Sequence, residues 1–191
     1  SLVLEGLPTA RRPSLMRNWS VYVWCVYLLE ETGFINSIRE IWWDVRPHHN
    51  FGTVEVRMCD MPGNLDHACG LAALEQCLVK YLSDEIDEGT YQFDCHPMMV
   101  RQNKWRAARY GLDATLVDTF DYSEKTVGEI AGRLVDKLRG VAQDLRCESE
   151  LGFVGEIARS PGWAQRQRDI LKSTGDQREI VRQLLPQSHV Q

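Results

Sequence analysis

No stretch of these 191 residues is long and apolar enough to span a bilayer, and no charged-then-apolar segment opens the chain as a secretion signal does. An excess of positive charge is missing as well: 22 lysines and arginines stand against 27 aspartates and glutamates, a net charge of −5. That balance excludes a general nucleic-acid binder, which needs a basic field to neutralise phosphates. It leaves room for a local basic pocket. Cys25, Cys59, Cys69, Cys77, Cys95 and Cys147 contain no Cys-x-x-Cys pair. Neither His67 near Cys69 nor Cys95 beside His96 matches a common zinc module. An even cysteine count also suits three disulfides in a secreted protein. A chain of this size needs no such staples, so the expectation is reduced, mostly buried thiols in a cytoplasmic protein. Internal repeats and low-complexity segments are absent too.

What is present is enough for one domain with a real core: hydrophobic residues make up 43% of the chain. The opening Ser1, in place of Met, suggests a piece of a longer protein. The stretch from Phe51 to Asp60 carries the clearest pattern. Turn-prone residues precede it, and Pro62-Gly63 follows. Strict alternation between such marks predicts a strand with two unlike faces. Val54, Val56 and Met58 point one way, and Thr53, Glu55 and Arg57 the other. Glu55 and Arg57 then lie roughly 6.6 Å apart on one face at the usual strand rise. That spacing suits a polyanion held by a carboxylate through a metal ion and by a guanidinium directly. It suits a solvated sheet face with an ion pair equally well.

Ile38–Arg46 alternates too, with Glu40, Trp42, Asp44 and Arg46 on one face and Arg39 an outlier on the other. The loop from Pro47 to Gly52 is short, which predicts an antiparallel hairpin. Asp44, Arg46, Glu55 and Arg57 then crowd one side of a sheet.

Residues up to Pro13 read as irregular. A helix capped by Ser14 then runs to about Thr32, with Leu15, Trp19, Tyr22, Val26 and Leu29 on its core stripe. Asp66–Asp87 reads as a strong helix with an apolar stripe of Leu71, Leu74, Leu78 and Leu82. Pro97 opens another, ending at Gly111, whose Asn103, Arg106 and Tyr110 share a face. Its Arg101, Lys104, Arg106 and Arg109 form either an anion site or a solvated face. Asp113–Asp118 reads as a short strand or extended connection, and Thr126 to Glu129 as a capping box with Glu129 spaced to pair with Arg133. Helices follow from Ser160-Pro161 to Gly175 and from Asp176 to Pro186.

Three stretches together resemble a known family. They are Trp42-Trp-Asp-Val-Arg-Pro47, Gly52-Thr-Val-Glu-Val-Arg57 with Asp60, and the run from Asn103 to Ala114. In this order they are similar to the carboxylate–amine ligase group of the glutamate–cysteine ligase type 2 family, from about Leu7 to Leu185. The resemblance implies an α+β fold, in which an antiparallel sheet forms part of a glutamine-synthetase-like active-site funnel packed with helices. It implies ATP and Mg2+, a small carboxylate such as glutamate, and an amine such as cysteine, with no nucleic-acid or membrane partner. ATP phosphorylates the carboxylate, and the amine displaces phosphate to leave an amide. The resemblance makes Glu55 a metal ligand and Arg57 the catalytic phosphate or substrate contact. Arg46, Asn103 and Arg106 become substrate or nucleotide contacts, and Trp105 a packing residue. The family's further metal-binding carboxylates, and a histidine, belong to an N-terminal half that this sequence does not show. Gln102 stands where the family more often has glutamate. The expectation is therefore a single domain over residues 1–191, the C-terminal portion of a larger ligase domain, completed by that half or by a second copy. The alternative is a non-catalytic binding or interaction domain retaining the ligase fold.

Overall fold

Asn18 sets the first helix. Its backbone is extended, and its side chain accepts from the Val21 N–H at 3.0 Å, so helix α1 runs over Trp19–Glu31. An extended residue cannot lie inside a helix, which moves the start from the expected Ser14 to Asn18. The computed structural model describes residues 6–14, 16, 18–91, 95–119 and 121–188. Leu15 and the first five residues of the opening segment lie outside them. The chain divides into two compact units, one up to Asp60 and one from Met61.

In the first unit, strand β1 (Ala10–Arg11) precedes α1. It adds regular structure to a segment expected to be irregular. Beyond α1, Ser37 caps a single 3-10 turn, Ile38–Glu40, and strands β2 (Trp42–Trp43), β3 (Val45–His48) and β4 (Thr53–Val56) follow. β2 pairs parallel with β1. β3 and β4 form the expected antiparallel hairpin, with Arg46 opposite Glu55 and Val45 opposite Val56. The long first strand expected from Ile38 is corrected: the carbonyls of Ile38 and Ile41 turn toward the Arg46 guanidinium instead of a neighbouring strand. The second strand stops at Val56, although the Arg57 N–H still reaches the Asp44 carbonyl at 2.7 Å. Gly52 closes the turn at φ +61°, a conformation that favours glycine.

The core of this unit gathers Tyr22, Val26, Ile35, Ile38, Ile41 and Trp43. Only part of the expected aromatic core of α1 is buried: Trp19 is 54% exposed and Trp24 60%.

In the second unit, helix α2 (Leu65–Asp87) is capped by Asn64 and helix α3 (Pro97–Tyr110) opens on its proline. Strands β5 (Thr115–Val117) and β6 (Glu124–Thr126) pair antiparallel. Helices α4 (Val127–Asp144), α5 (Glu148–Arg159), α6 (Trp163–Thr174) and α7 (Gln177–Leu184) complete it. The capping box of Thr126 and Glu129 forms as read, and Gly175 ends α6 at φ +68°. Arg133 binds Asp118 and not Glu129, whose carboxylate is held by Thr126.

Helices α2, α4 and α5 pack together around Ala73, Cys77, Leu138, Ala142, Leu151 and Val154. The most buried face of α2 carries Gly70, Ala73 and Cys77; Leu74 and Leu78 of the expected stripe, one step away, pack against the same core, and Leu82 is exposed. Close approach is the reason: a Cβ at Gly70 would lie 2.9 Å from the Phe153 Cβ on α5. All six cysteines are free; Cys77 is buried, Cys59 exposed and the other four partly exposed, fewer buried thiols than expected. Burial, with Cys147 Sγ at 3.6 Å, pushes the Cys77 thiol up to about 11.

The fold is thus α+β, seven helices with three separate two-stranded sheets among the described residues. Among those residues, no helix is long and apolar enough to cross a membrane.

Candidate functional site

The β3–β4 register places Arg46 and Glu55 directly opposite each other, and Arg57 follows two residues later on the same face. Arg46 Nη2 lies 2.5 Å from Glu55 Oε2, and Arg57 Nη2 lies 2.8 Å from Oε1. One carboxylate therefore bridges two guanidinium groups. Arg46 is only 4% exposed, and its Nη1 donates to the carbonyls of Ile38 at 2.8 Å and Ile41 at 3.1 Å. The 3-10 turn, β3 and β4 are thus fastened by one side chain. The Arg57 guanidinium also sits 5.2 Å from the centre of the Trp42 ring, a cation–π contact. Tyr22 donates to the Pro47 carbonyl at 2.6 Å. Burial pushes its hydroxyl above the ordinary tyrosine value, and the nearby Arg46 charge partly offsets this.

These groups line an open pocket of about 610 Å³. Arg39, Arg46, Glu55 and Arg57 supply its charge, with His48, Phe51, Thr53 and Val54 beside them. The His48 ring stacks on Phe51 at 4.4 Å between centroids. Three buried nitrogens here have no hydrogen-bond partner: Arg46 Nε, His48 Nδ1 and Arg57 Nε. The two guanidinium nitrogens are N–H donors with no acceptor among the described residues, a surplus of donors beside the pocket. Such a surplus suits an acceptor-rich, negatively charged ligand such as a carboxylate or phosphoryl group.

Asn103 and Arg106 belong to the second unit. Asn103 Nδ2 donates to the Val117 carbonyl at 2.7 Å, and its Oδ1 accepts from the Val117 N–H at 2.9 Å. The amide thus completes the edge of β5 as a neighbouring strand would. Arg106 donates to the Thr115 carbonyl at 2.8 Å and pairs with Glu124 at 3.3 Å. Both side chains tie α3 to the small β5–β6 sheet. Trp105, expected to pack, is 47% exposed, with its ring edge-on to Tyr110.

Two pocket residues escaped the sequence reading. His48 lies two residues beyond Arg46, so the period of the strand was a usable signal for it. Arg39 had no such signal, because the 3-10 turn breaks the alternation that placed it on the opposite face. Magnesium prefers six oxygens and usually takes one or two carboxylates. Both Glu55 oxygens already face guanidinium groups, and among the described residues no three His, Cys, Asp or Glu side chains gather to hold a metal. The described residues therefore do not make a magnesium shell on their own.

Comparison with known proteins turns this geometry into an assignment. Residues 2–186 match the family model described as glutamate-cysteine ligase family 2. The chain belongs to this family. Among relatives in it, a protein of Mycobacterium ulcerans named "Putative glutamate--cysteine ligase 2" is 39% identical over 186 residues, 97% of this chain and 47% of its own length. One of the same name from Gloeobacter violaceus is 39% identical over 168 residues, 88% of this chain and 45% of its own. A Frankia casuarinae protein named "Putative glutamate--cysteine ligase 2-1" is 40% identical over 186 residues, 97% and 49%. The chain spans about half the length of these curated relatives. The hairpin pocket and the α3–β5 junction both fall within the part that this glutamate–cysteine ligase family model matches.

Proposed function

We propose that this chain supplies the guanidinium-rich portion of an ATP-dependent carboxylate–amine ligase of the glutamate–cysteine type, acting in the cytoplasm. The observation that carries this reading is the Arg46–Glu55–Arg57 bridge on the wall of an open pocket with unused donors. Arg57 contacts the phosphoryl group or the substrate carboxylate in this reading, where a planar, forked donor matches the developing charge. Arg46 holds the substrate end of the pocket and keeps Glu55 in place. Asn103 serves a substrate or nucleotide contact by shaping the β5–β6 segment, since its amide is engaged with Val117, and Arg106, whose Nη1 is held by Thr115 and Glu124, offers its remaining guanidinium donors. Bound ATP supplies the phosphoryl group that turns the carboxylate into a leaving-group-bearing acyl donor, with magnesium as its usual counter-ion. Glu55 joins a metal shell only when ligands from outside the described residues are added. Residues 1–191 are then the C-terminal portion of a larger ligase domain.

The test is a chimera. The matched region of the Mycobacterium ulcerans relative is replaced by this chain, and γ-glutamyl amide formation from glutamate, cysteine and Mg-ATP is measured. We expect amide formation by the chimera and none by the 191-residue chain alone, because removing even one such charge stabiliser costs roughly 10²–10³-fold. Arg57→Lys should lower turnover with an unchanged magnesium requirement, while Glu55→Gln should raise that requirement. Full activity of both variants would remove these residues from the mechanism. One observation favours a different reading, a non-catalytic binding or interaction domain that keeps the ligase fold: among the described residues no metal-holding group exists. Binding of glutamate by a correctly folded chimera that makes no amide would select it.

A further inference from the structure

The pocket beside the hairpin has a charge surplus that the bridge does not remove. Three guanidinium groups line it, from Arg39, Arg46 and Arg57, against the single carboxylate of Glu55. Glu55 is held by Arg46 and Arg57. Arg39 stands apart. Its backbone N–H is fixed by the Ser37 side chain at 3.3 Å, so its position is set by the capped turn Ile38–Glu40. Its own side chain makes no hydrogen bond or ion pair among the described residues. The local balance is positive in a chain whose net charge is −5.

The hydrogen-bond balance leans the same way. Arg46 is 4% exposed, yet its Nε has no partner, and Arg57 Nε has none either. Guanidinium groups only donate, so among the charged side chains lining the pocket the three arginines outnumber the one accepting carboxylate, Glu55. A group that only accepts, and that carries negative charge, corrects both imbalances.

We infer that Arg39 is a ligand-contacting residue of this pocket, and that it sets a preference for compact oxyanions with more than one negatively charged group. This rests on the ligase reading only for the identity of that oxyanion. The shared chemistry fits a phosphoryl group or a second carboxylate. Arg46 and Arg57 are partly neutralised by Glu55, so the first negative charge of a ligand competes with Glu55 for them. Arg39 has no internal competitor and takes the second.

The experiment follows the arginine Nε–H signals of the 191-residue chain by NMR at fixed ionic strength. Inorganic phosphate, L-glutamate and ATP are titrated in separate arms, with L-glutamine as the control lacking the second carboxylate and Arg57→Gln as the comparison variant. We expect saturable shifts with phosphate or glutamate and much weaker ones with glutamine. Arg39→Gln should weaken that binding about tenfold, the scale of one well-placed charge-assisted contact. Arg39→Lys should stay within about threefold of the original, because an unconstrained point charge at the rim asks little of fork geometry. Arg39 has no side-chain partner to lose, so both variants should melt as the parent does. Binding unchanged in Arg39→Gln, or no saturable shift with either oxyanion, overturns the inference. Arg39-dependent binding of phosphate with no binding of glutamate or ATP would uphold the inference and sink the ligase reading. Glutamate and ATP binding that survives Arg39→Gln but is lost in Arg57→Gln would do the reverse.

Discussion

Two regions of the chain use similar polar residues and leave them in opposite states. At the hairpin, Arg46, His48 and Arg57 each keep a buried nitrogen without a partner. In the second unit, the counterparts are occupied. Asn103 satisfies both the N–H and the carbonyl of Val117, Arg106 is shared between Thr115 and Glu124, and His67 Nδ1 accepts from the Trp163 indole at 3.1 Å. A buried polar atom without a partner costs free energy, so folds seldom keep several in one place without a use. The three on one hairpin support the proposed reading of that region as a ligand site, and the paired groups of the second unit serve its architecture. Residue type alone does not separate the two, and the count of unused donors does.

The largest effect expected from this contrast is at Arg46. It is both architecture and site, since it anchors two carbonyls and one carboxylate from a buried position. Arg46→Ala should destabilise the first unit by about 3 kcal/mol, because it orphans those acceptors and opens a void. A urea melt followed by tryptophan fluorescence measures this. Stability within error of the parent would show that the bridge is a surface decoration.

Next comes Asn103. If it serves architecture, Asn103→Ala should cost about 1–2 kcal/mol through two lost bonds to Val117. Asn103→Asp keeps the acceptor and loses the donor, so it should fall between. Hydrogen exchange at the Val117 amide gives the local reading. A variant with unchanged stability and exchange would move Asn103 to the ligand side of the contrast.

Arg57 should behave in the opposite way. It is a quarter exposed and its carboxylate partner 40% exposed, so solvent screens the pair. Arg57→Gln should cost under about 1 kcal/mol of stability. Its effect should show in anion binding. A loss of stability as large as that of Arg46→Ala would erase the distinction between the two arginines.

Much of this arrangement was legible in the sequence, for reasons that differ by residue. The hairpin register followed from two alternating runs around a short turn, a pattern that by itself puts Glu55, Arg57 and Arg46 on one face. The capping box at Thr126 and the glycine stop at Gly175 were legible because they are local. Arg39 was not, because one Ser37-capped turn rotates it by an amount that no period predicts. The α2 stripe was displaced because packing against α5 rewards the small side chains of Gly70 and Ala73 over the larger leucines beside them. The exposed aromatics of α1 had the same composition as a core stripe, and only the number of neighbours separates the two. The pairing of Arg106 with Glu124 depended on β6, a strand whose sequence of Glu124, Lys125 and Thr126 gives no apolar signal.

The smallest expected effect concerns His67. His67 sits in the first turn of α2, where its Nδ1 accepts from Trp163 Nε1 and its ring meets the indole edge-on at 5.9 Å. The contact is tight: a Cβ on Gly63 would fall 2.2 Å from the same indole. An imidazole that accepts at Nδ1 must be unprotonated there. Burial, with Arg166 adding to it, lowers the His67 pKa, while Asp66 and Glu156 act against this. The folded form therefore binds a proton less readily than the unfolded chain. The resulting stability is fully present above the ordinary histidine value of about 6.5 and erodes as pH falls below it, until the folded imidazole titrates too. Trp163→Phe removes the donor and relieves the need for a neutral ring, so it should flatten this part of the pH profile. Urea midpoints between pH 8 and pH 5 for both proteins isolate the effect, because carboxylates common to both cancel in the difference. If Trp163→Phe left the pH dependence as steep as in the parent, the His67–Trp163 contact would not be its source, and His67 would have to leave the architectural side of the contrast.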